Sequence, residues 1–488
     1  MSEKVDVVVV GGASAGYAAA VAAAESGAER VVVLEKARRD DVGGNCRYSA
    51  MGFRFVHDGA DDLLGLLSPA RREELAGRIR VRPYSRDEFF ADLNQVTKNL
   101  IDQELAQILV DDSRSAVDWM TELGHQWVIW PKPVRVDGFL EYPAGTVIGP
   151  ADGGLGLVER WIQIGGRLGV ELRTESRVSG LLGNFHSVQG VVVDGPDGRY
   201  EIEAGAVILA SGGFQASAER RARYLPPGSD LMKVRGSRHN TGEVLDMAVA
   251  LGAATSGQWQ GGHASPIDLN APDVEVDNTV NRYAYPHGIT VDVNGKRFFD
   301  ESERHRTYTY AKTGWAVIKQ QGGIAYQIFD QQAVDLFPEA YRAAVPVQAD
   351  SIEALADKLG IDAVALARTV EEYNGAIDDS VPFDPTREDG RGTVGISPRH
   401  TNWARPIVEA PFLAFGVTGG ITFSFGGVRT NRDAQVLNTS LDPIRGLYAN
   451  GDMVGLFHHN YPSSSGMTRN AVFGGRAGVS AADAAGRR

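Results

Sequence analysis

The stretch Val5-Asp6-Val7-Val8-Val9-Val10-Gly11-Gly12-Ala13-Ser14-Ala15-Gly16, with the alanine-rich run to Glu25 and Val31–Leu34 behind it, decides how this chain folds. Val5–Val10 is an almost unbroken β-branched run, the pattern of a strand buried in a parallel sheet. Gly11 permits a tight turn. Ala13 stands where G-x-G-x-x-G has its second glycine and leaves slightly less room for a pyrophosphate. Gly16 lets the following helix pack close to the strand. Ser14 and Ala15 open that helix, whose unpaired amides and positive dipole end favour a phosphate. Glu35 and Lys36 close the second strand, about 20 residues on, where an acid holds ribose hydroxyls. A glycine turn alone is a weak signal. Strand, helix and acid together predict a dinucleotide site, without separating FAD from NAD.

A second segment lies almost a full chain length away, from Gly446 to Gly478. It reads as a strand, a Gly/Ser-rich turn and a helix over Thr468–Ala482. Asp452, after Asn450-Gly451, suits ribityl hydroxyls. Ser464, Ser465, Gly466 and Met467 open the helix, where free amides would stabilise charge on a flavin edge; the plain alternative is an N-cap serine cluster. Between the two ends lie Gly43, Gly44, Asn45 and Cys46 in a second glycine turn, Ala210-Ser211-Gly212 at the end of a buried strand, and Gly242 before the helix Glu243–Leu251. Each is assigned to the same cofactor, against the simpler readings of loop, strand end and helix cap. For Cys46 a space-filling role competes with a redox or covalent-flavin role. One long cofactor clamped from both ends of the chain points to FAD.

Composition bounds the rest. The 488 residues leave room for two domains, and 43% hydrophobic with 23% charged content is ordinary for a globular protein. The net charge of −13 argues against nucleic acid as a partner. A single cysteine excludes an intrachain disulfide and thiolate-held iron–sulfur clusters, so electrons must come from or go to a separate donor or acceptor. The histidines are scattered rather than in ligand spacing, so no metal site is expected. No apolar run approaches the roughly 20 residues that span a bilayer. Met1–Lys4 leads straight into the first strand with no leader pattern, and a cytoplasmic location is expected.

Along the chain, helical periodicity covers roughly 86–124 and 152–169, and Val170–Leu209 reads as strands. From about Gln258 the composition turns to His, Asn, Pro and Asp; Ile289–Glu301 suggests a hairpin around Asn294-Gly295. The fold class expected is α/β: a doubly wound, Rossmann-like FAD-binding domain over 1–258 and 423–488, with an inserted α+β capping domain over 259–422.

These motifs in this order resemble the fumarate reductase/succinate dehydrogenase flavoprotein superfamily over nearly the whole chain. Gly43–Tyr48, Arg306–Lys312, Ile421–Gly427 and His459–Pro462 most resemble its tricarballylate dehydrogenase branch; 3-ketosteroid dehydrogenases are also related. The resemblance implies a cap closing over the substrate, and hydride exchange between flavin and a carbon next to one bearing an activating carboxylate or carbonyl. The segment Gly295-Lys296-Arg297-Phe298-Phe299-Asp300-Glu301 matches a family motif. Beyond it Arg306 resembles the proton-donating arginine, with a one-residue offset that leaves His305 as competitor. Arginine is a poor acid or base on its intrinsic pKa, so Glu301 is assigned a relay role. His263 resembles a substrate-binding histidine. The chain departs from fumarate reductases at three places. Thr422 replaces a second substrate histidine, Tyr461 replaces the carboxylate-gripping arginine, and Asn45 replaces the flavin-linked histidine of covalent members. The last implies non-covalent FAD. Tyr461 is similar to the ketone-polarising tyrosine of ketosteroid dehydrogenases, and His458 or His459 could supply the missing cation.

The expected activity is hydrogen removal or addition across a C–C bond α,β to a carboxylate or carbonyl, with a polar (poly)carboxylic acid such as tricarballylate as substrate. Arg306 or His305 would move the proton, and Tyr461, Thr422 and His263 would hold the activating group. A cyclic enone or ketosteroid dehydrogenase, and a non-catalytic flavin electron carrier, are the alternatives.

Overall fold

Three parallel strands form the centre of the first sheet: Glu3–Val10 lies between Val31–Leu34 and Gly198–Leu209. Val7 sits opposite Val31 on one side, and Val8 opposite Val207 on the other. Valines buried on both faces explain the β-branched run. Glu171–Arg173 extends the sheet beside Val31–Leu34, and Pro443–Ala449 runs parallel to the end of Gly198–Leu209. An antiparallel excursion, Arg177–Asn184, Ser187–Gly195 and Gly198–Leu209, matches the strand-rich stretch read from the sequence.

This is a computed structural model, and it describes residues 3–49, 51–130, 133–142 and 146–486. The chain divides into two units. The first holds the described residues of 1–225, 236–262 and 423–488; the second holds those of 226–235 and 263–422.

In the first unit, helix Ser14–Glu25 covers the sheet and buries Ser14 through Ala23. Helix Ser465–Gly486 packs against it. A Cβ at Gly474 would come within 2.6 Å of Ala18 Cβ, and one at Gly478 within 2.7 Å of Ala22 Cβ. Small residues on both helices therefore set a backbone-close contact. The helical region 86–124 is made of three helices: Arg86–Thr97, Gln103–Asp111 and Ser113–Glu122. Lys98 and Asn99 both take positive φ and break the first from the second.

The second unit is built on the strand Phe412–Ser424, which pairs antiparallel with Ile324–Phe329 and Val347–Ala349. Helices Ile352–Leu359 and Ala363–Gly375 pack Leu355, Leu366 and Tyr373 into its core. Pro226–Arg235 belongs here, although the sequence reading left it with the nucleotide domain. The reason is a two-residue strand: Lys233–Val234 runs parallel to Gly420–Ile421. Ile289–Val291 pairs mainly with Ile324–Phe329. The expected hairpin at Asn294-Gly295 is reduced to one bridge, Val291 to Arg297. Among the described residues, no helix is long and apolar enough to cross a membrane.

Burial holds two histidines of the first unit neutral. His125 lies against Trp161, with ring centres 4.4 Å apart, and is pushed down to about 3; His57 is pushed down to about 4. Both folded values lie below the ordinary 6.5, so the unfolded chain takes up protons first and stability falls as pH drops below 6.5, down to about 4 for His57 and about 3 for His125. Melting temperature measured from pH 7 to pH 4 should decline steadily. His125→Phe should recover on the order of 3 kcal/mol at pH 4 relative to wild type; an unchanged pH slope would remove His125 as a source.

Candidate functional site

The first strand ends in Gly11, whose φ is +113°. A Cβ there would lie 2.5 Å from Ala210 O, and one at Gly16 would overlap Gly11 O. Both positions therefore require glycine. Ala13 caps the helix with extended backbone and no side-chain hydrogen bond, so the N-terminal amides have no side-chain acceptor at the cap. Trp161 Nε1 donates to Ser14 Oγ at 3.2 Å, which orients that hydroxyl. Glu35 is buried, and its carboxylate accepts from Gly12 N–H at 2.9 Å and Ala37 N–H at 2.8 Å. The acid thus braces the glycine turn, and its oxygens keep lone pairs for ribose hydroxyls. Lys36 donates to Thr241 Oγ1 at 2.7 Å and pairs with Glu243 at 3.1 Å, the residues on either side of Gly242. An uncapped helix start, a glycine turn and a braced acid fit the diphosphate and ribose of FAD.

The second glycine turn becomes a 3-10 helix, Gly44–Tyr48, entered through Gly43. Asn45 Oδ1 accepts from Ser237 N–H at 3.0 Å and Asn240 Nδ2 at 2.8 Å. A Cβ at Gly212 would in turn meet Asn240 Oδ1 at 2.6 Å. Asn240 thus bonds Asn45 and packs against the strand end Ala210-Ser211-Gly212, where Ser211 Oγ reaches Met453 Sδ at 3.2 Å. Cys46 is buried, and burial pushes its thiol up to about 12. A thiol held protonated is neither a nucleophile nor a ready redox group, so packing accounts for it.

Asn450 is fully buried and escaped the sequence reading. Its Nδ2 donates to Ala15 O at 3.0 Å and Asn470 O at 2.9 Å, tying the N-terminal helix to the C-terminal one. Nothing in a single sequence marks such an asparagine; the signal is its place directly before Gly451-Asp452. Asp452 pairs with Arg469. The Arg469 guanidinium carbon lies 5.2 Å from the Phe457 ring centre. Ser465 Oγ donates to Pro462 O at 2.7 Å, and Ser464 takes a φ of +73°. The C-terminal helix starts at Ser465, three residues before the expected Thr468, so Gly466 and Met467 lie in its first turn. Tyr461 is 7% exposed, packed edge-on to Phe423 at 5.3 Å and beside Phe457 at 5.5 Å. His458 and His459 are both held below their ordinary values by burial, so neither supplies a standing positive charge near neutral pH.

In the second unit, His263 is buried with its ring edge-on to Tyr310 at 5.0 Å. Burial, and then the charge of Arg235, hold it well below its ordinary value. It is a neutral imidazole, able to hydrogen-bond but not to act as a cation. Thr422 Oγ1 accepts from Arg235 Nη1 at 2.8 Å. Arg306 opens the 3-10 helix Arg306–Tyr308 and is half-buried. Its charge acts on the buried phenols of Tyr283 and Tyr285. Its side chain has no hydrogen bond or ion pair among the described residues. His305 is occupied differently: its Nδ1 meets Thr307 Oγ1 at 2.9 Å, capping that same helix.

Glu301 does not adjoin Arg306 as the relay reading expected. It is fully buried, accepts from Thr290 N–H at 2.8 Å and Arg297 Nε at 3.0 Å, and faces His400 Nδ1 at 3.3 Å. Arg297 and His400 hold its carboxyl down to about 2 against the opposing effect of burial. The motif Gly295–Glu301 thus builds a core ion pair.

Against this geometry, the FAD binding domain family matches residues 6–467. The chain belongs to that family. A probable fumarate reductase of Shewanella frigidimarina is 29% identical, covering 99% of this chain and 75% of its own. A urocanate reductase of Eggerthella lenta is 26% identical, covering 99% of this chain and 75% of its own. The solved structure of the open conformation of a flavocytochrome c3 fumarate reductase superposes with a TM-score of 0.72 at 26% identity, covering 99% of this chain and 79% of that one. The protein is an FAD-dependent oxidoreductase acting on carbon–carbon double bonds or their saturated counterparts.

Gly16→Ala should sharply lower flavin content, read as the ratio of flavin to protein absorbance. Gly166→Ala, on a helix where a Cβ meets nothing within 4 Å, should leave that ratio at wild type. Equal flavin content in both variants would remove the glycine turn from cofactor binding.

Proposed function

We propose that the protein interconverts a saturated carboxylic acid and its α,β-unsaturated counterpart, and that its substrate is a polycarboxylic acid such as tricarballylate. FAD, when bound, supplies the two-electron hydride chemistry at one carbon of the pair. Arg306 handles the proton at the other carbon. The observation that carries this reading is the state of its guanidinium: half-buried, acting on the phenols of Tyr283 and Tyr285, and paired with no acid among the described residues. Its competitor His305 is used as a helix cap. In the reductive direction Arg306 starts protonated and donates to the carbon α to the carboxylate. In the oxidative direction it must first lose a proton, which its high intrinsic pKa opposes.

His263 and Thr422 serve as hydrogen-bond donors to the activating carboxylate. Thr422 accepts from a cation, which polarises its own O–H into a stronger donor. A neutral His263 carries one N–H and so can act as a hydrogen-bond donor rather than as a cation. Such fixed donors stabilise the enolate-like charge that builds up as the α-carbon gains or loses its proton. Asn45 in place of a flavin-linked histidine supports non-covalent FAD, and the single cysteine of this chain supports a separate electron donor or acceptor.

Tyr461 favours one other reading. A phenol in an apolar setting of Phe423 and Phe457 suits an uncharged ketone, as in a ketosteroid-type dehydrogenase.

Anaerobic addition of tricarballylate, succinate or a 3-ketosteroid to the oxidised holoenzyme separates the two. Bleaching of the flavin by a polycarboxylate is the expected result, and bleaching by the ketone alone would replace it with the second reading. Arg306→Ala should retain its flavin while turnover falls by about 10²–10⁴-fold, the usual share of a positioned proton donor. Full turnover in that variant would take Arg306 out of the reaction.

A further inference from the structure

Arg235 lies at the end of the strand Lys233–Val234, its backbone N–H bonded to Ile421 O at 2.8 Å. It is 7% exposed. Its Nε donates to Asn281 Oδ1 at 3.0 Å, Nη1 to Thr422 Oγ1 at 2.8 Å, and Nη2 to Asn278 Oδ1 at 2.5 Å. All three acceptors are neutral, and no carboxylate pairs with Arg235 among the described residues. Three other arginines with buried side chains differ. Arg282 pairs with Asp268, Arg297 with Glu301 and Arg469 with Asp452. A guanidinium withdrawn from water with only dipoles around it keeps an uncompensated charge, an arrangement that folded proteins otherwise avoid.

The hydrogen bonding is specific in what it leaves over. A guanidinium has five N–H donors. The three bonds take one from each nitrogen, and one remains on each terminal nitrogen. Two such donors on neighbouring nitrogens can form a fork for the two oxygens of a carboxylate. The fork is held rigidly by two asparagines and a threonine, so little freedom is lost when an anion binds. Thr422 and Asn278 are themselves only half-buried, which places Arg235 one layer below a polar rim. Its neighbour His263 is neutral and adds no positive charge here.

We propose that Arg235 is the centre of an anion subsite in the second unit that takes a second carboxylate of the substrate and selects polycarboxylic over monocarboxylic acids. The inference rests on the function proposed above. Asn278 and Asn281 act as positioning residues, holding the fork through Nη2 and Nε.

The test is calorimetric titration of the oxidised holoenzyme with aconitate, a tricarboxylic enoate that oxidised flavin cannot reduce, and with crotonate, its monocarboxylic counterpart. Arg235→Gln should weaken aconitate binding about 10- to 100-fold, the range for loss of a charged hydrogen-bond pair, and weaken crotonate far less. Arg235→Lys keeps the charge but not the fork, and should lie between wild type and Arg235→Gln for aconitate. It carries the comparison alone if Arg235→Gln does not fold. Aconitate affinity within twofold of wild type in the folded variants would overturn the subsite, as would equal losses for both ligands or no saturable aconitate binding to wild type. Flavin bleaching by tricarballylate judges the proposed function separately. A protein that binds aconitate through Arg235 but is never reduced by tricarballylate would keep the subsite and lose the reaction.

Discussion

The contact between helix Ser14–Glu25 and helix Ser465–Gly486 is the constraint on which the cofactor unit depends. It brings backbones together at distances that any Cβ on Gly474 or Gly478 would prevent. Asn450 adds a hydrogen-bonded bolt, donating to a carbonyl on each helix. Chain segments more than four hundred residues apart are thereby registered to within the length of a hydrogen bond. The same arrangement places the glycine turn at one helix start and Ser464-Ser465-Gly466-Met467 at the other, so that two helix N-termini belong to one unit.

Charge in the second unit follows a consistent logic. Most buried ionic groups are closed on themselves: Glu301 with Arg297 and His400, Asp268 with Arg282. These contacts hold the fold and have no capacity left for chemistry. Arg235 and Arg306 are the contrast, one buried among neutral acceptors and the other half-buried with no bonded partner among the described residues. His263, placed beside the first of them, is kept neutral by its burial and then by that charge.

Much of this was legible in advance. Val5–Val10 with Gly11 and Gly16 announces a buried strand and a tight turn because local sterics allow few other conformations. Glu35 is readable from its spacing, though its first task proved to be bracing Gly12 and Ala37. Other residues mislead because local pattern says nothing about distant partners. Lys36 turns to Glu243, and Glu301 is drawn to Arg297 and His400 rather than to Arg306. Arg235 sits in a stretch with no motif around it. It gains meaning only when Asn278, Asn281 and Thr422 converge on it.

The sequence by itself determined the cofactor fold, because strand burial, turn geometry and helix-end electrostatics are properties of short segments and need no partner to be read. It also determined that this chain holds no thiolate-bound cluster, since it has one cysteine. Tertiary structure alone decided which charges are spent and which remain. Whether an arginine meets an acid depends on residues as far away as position 422 is from 235, and on burial, which makes an unmet charge expensive and therefore informative.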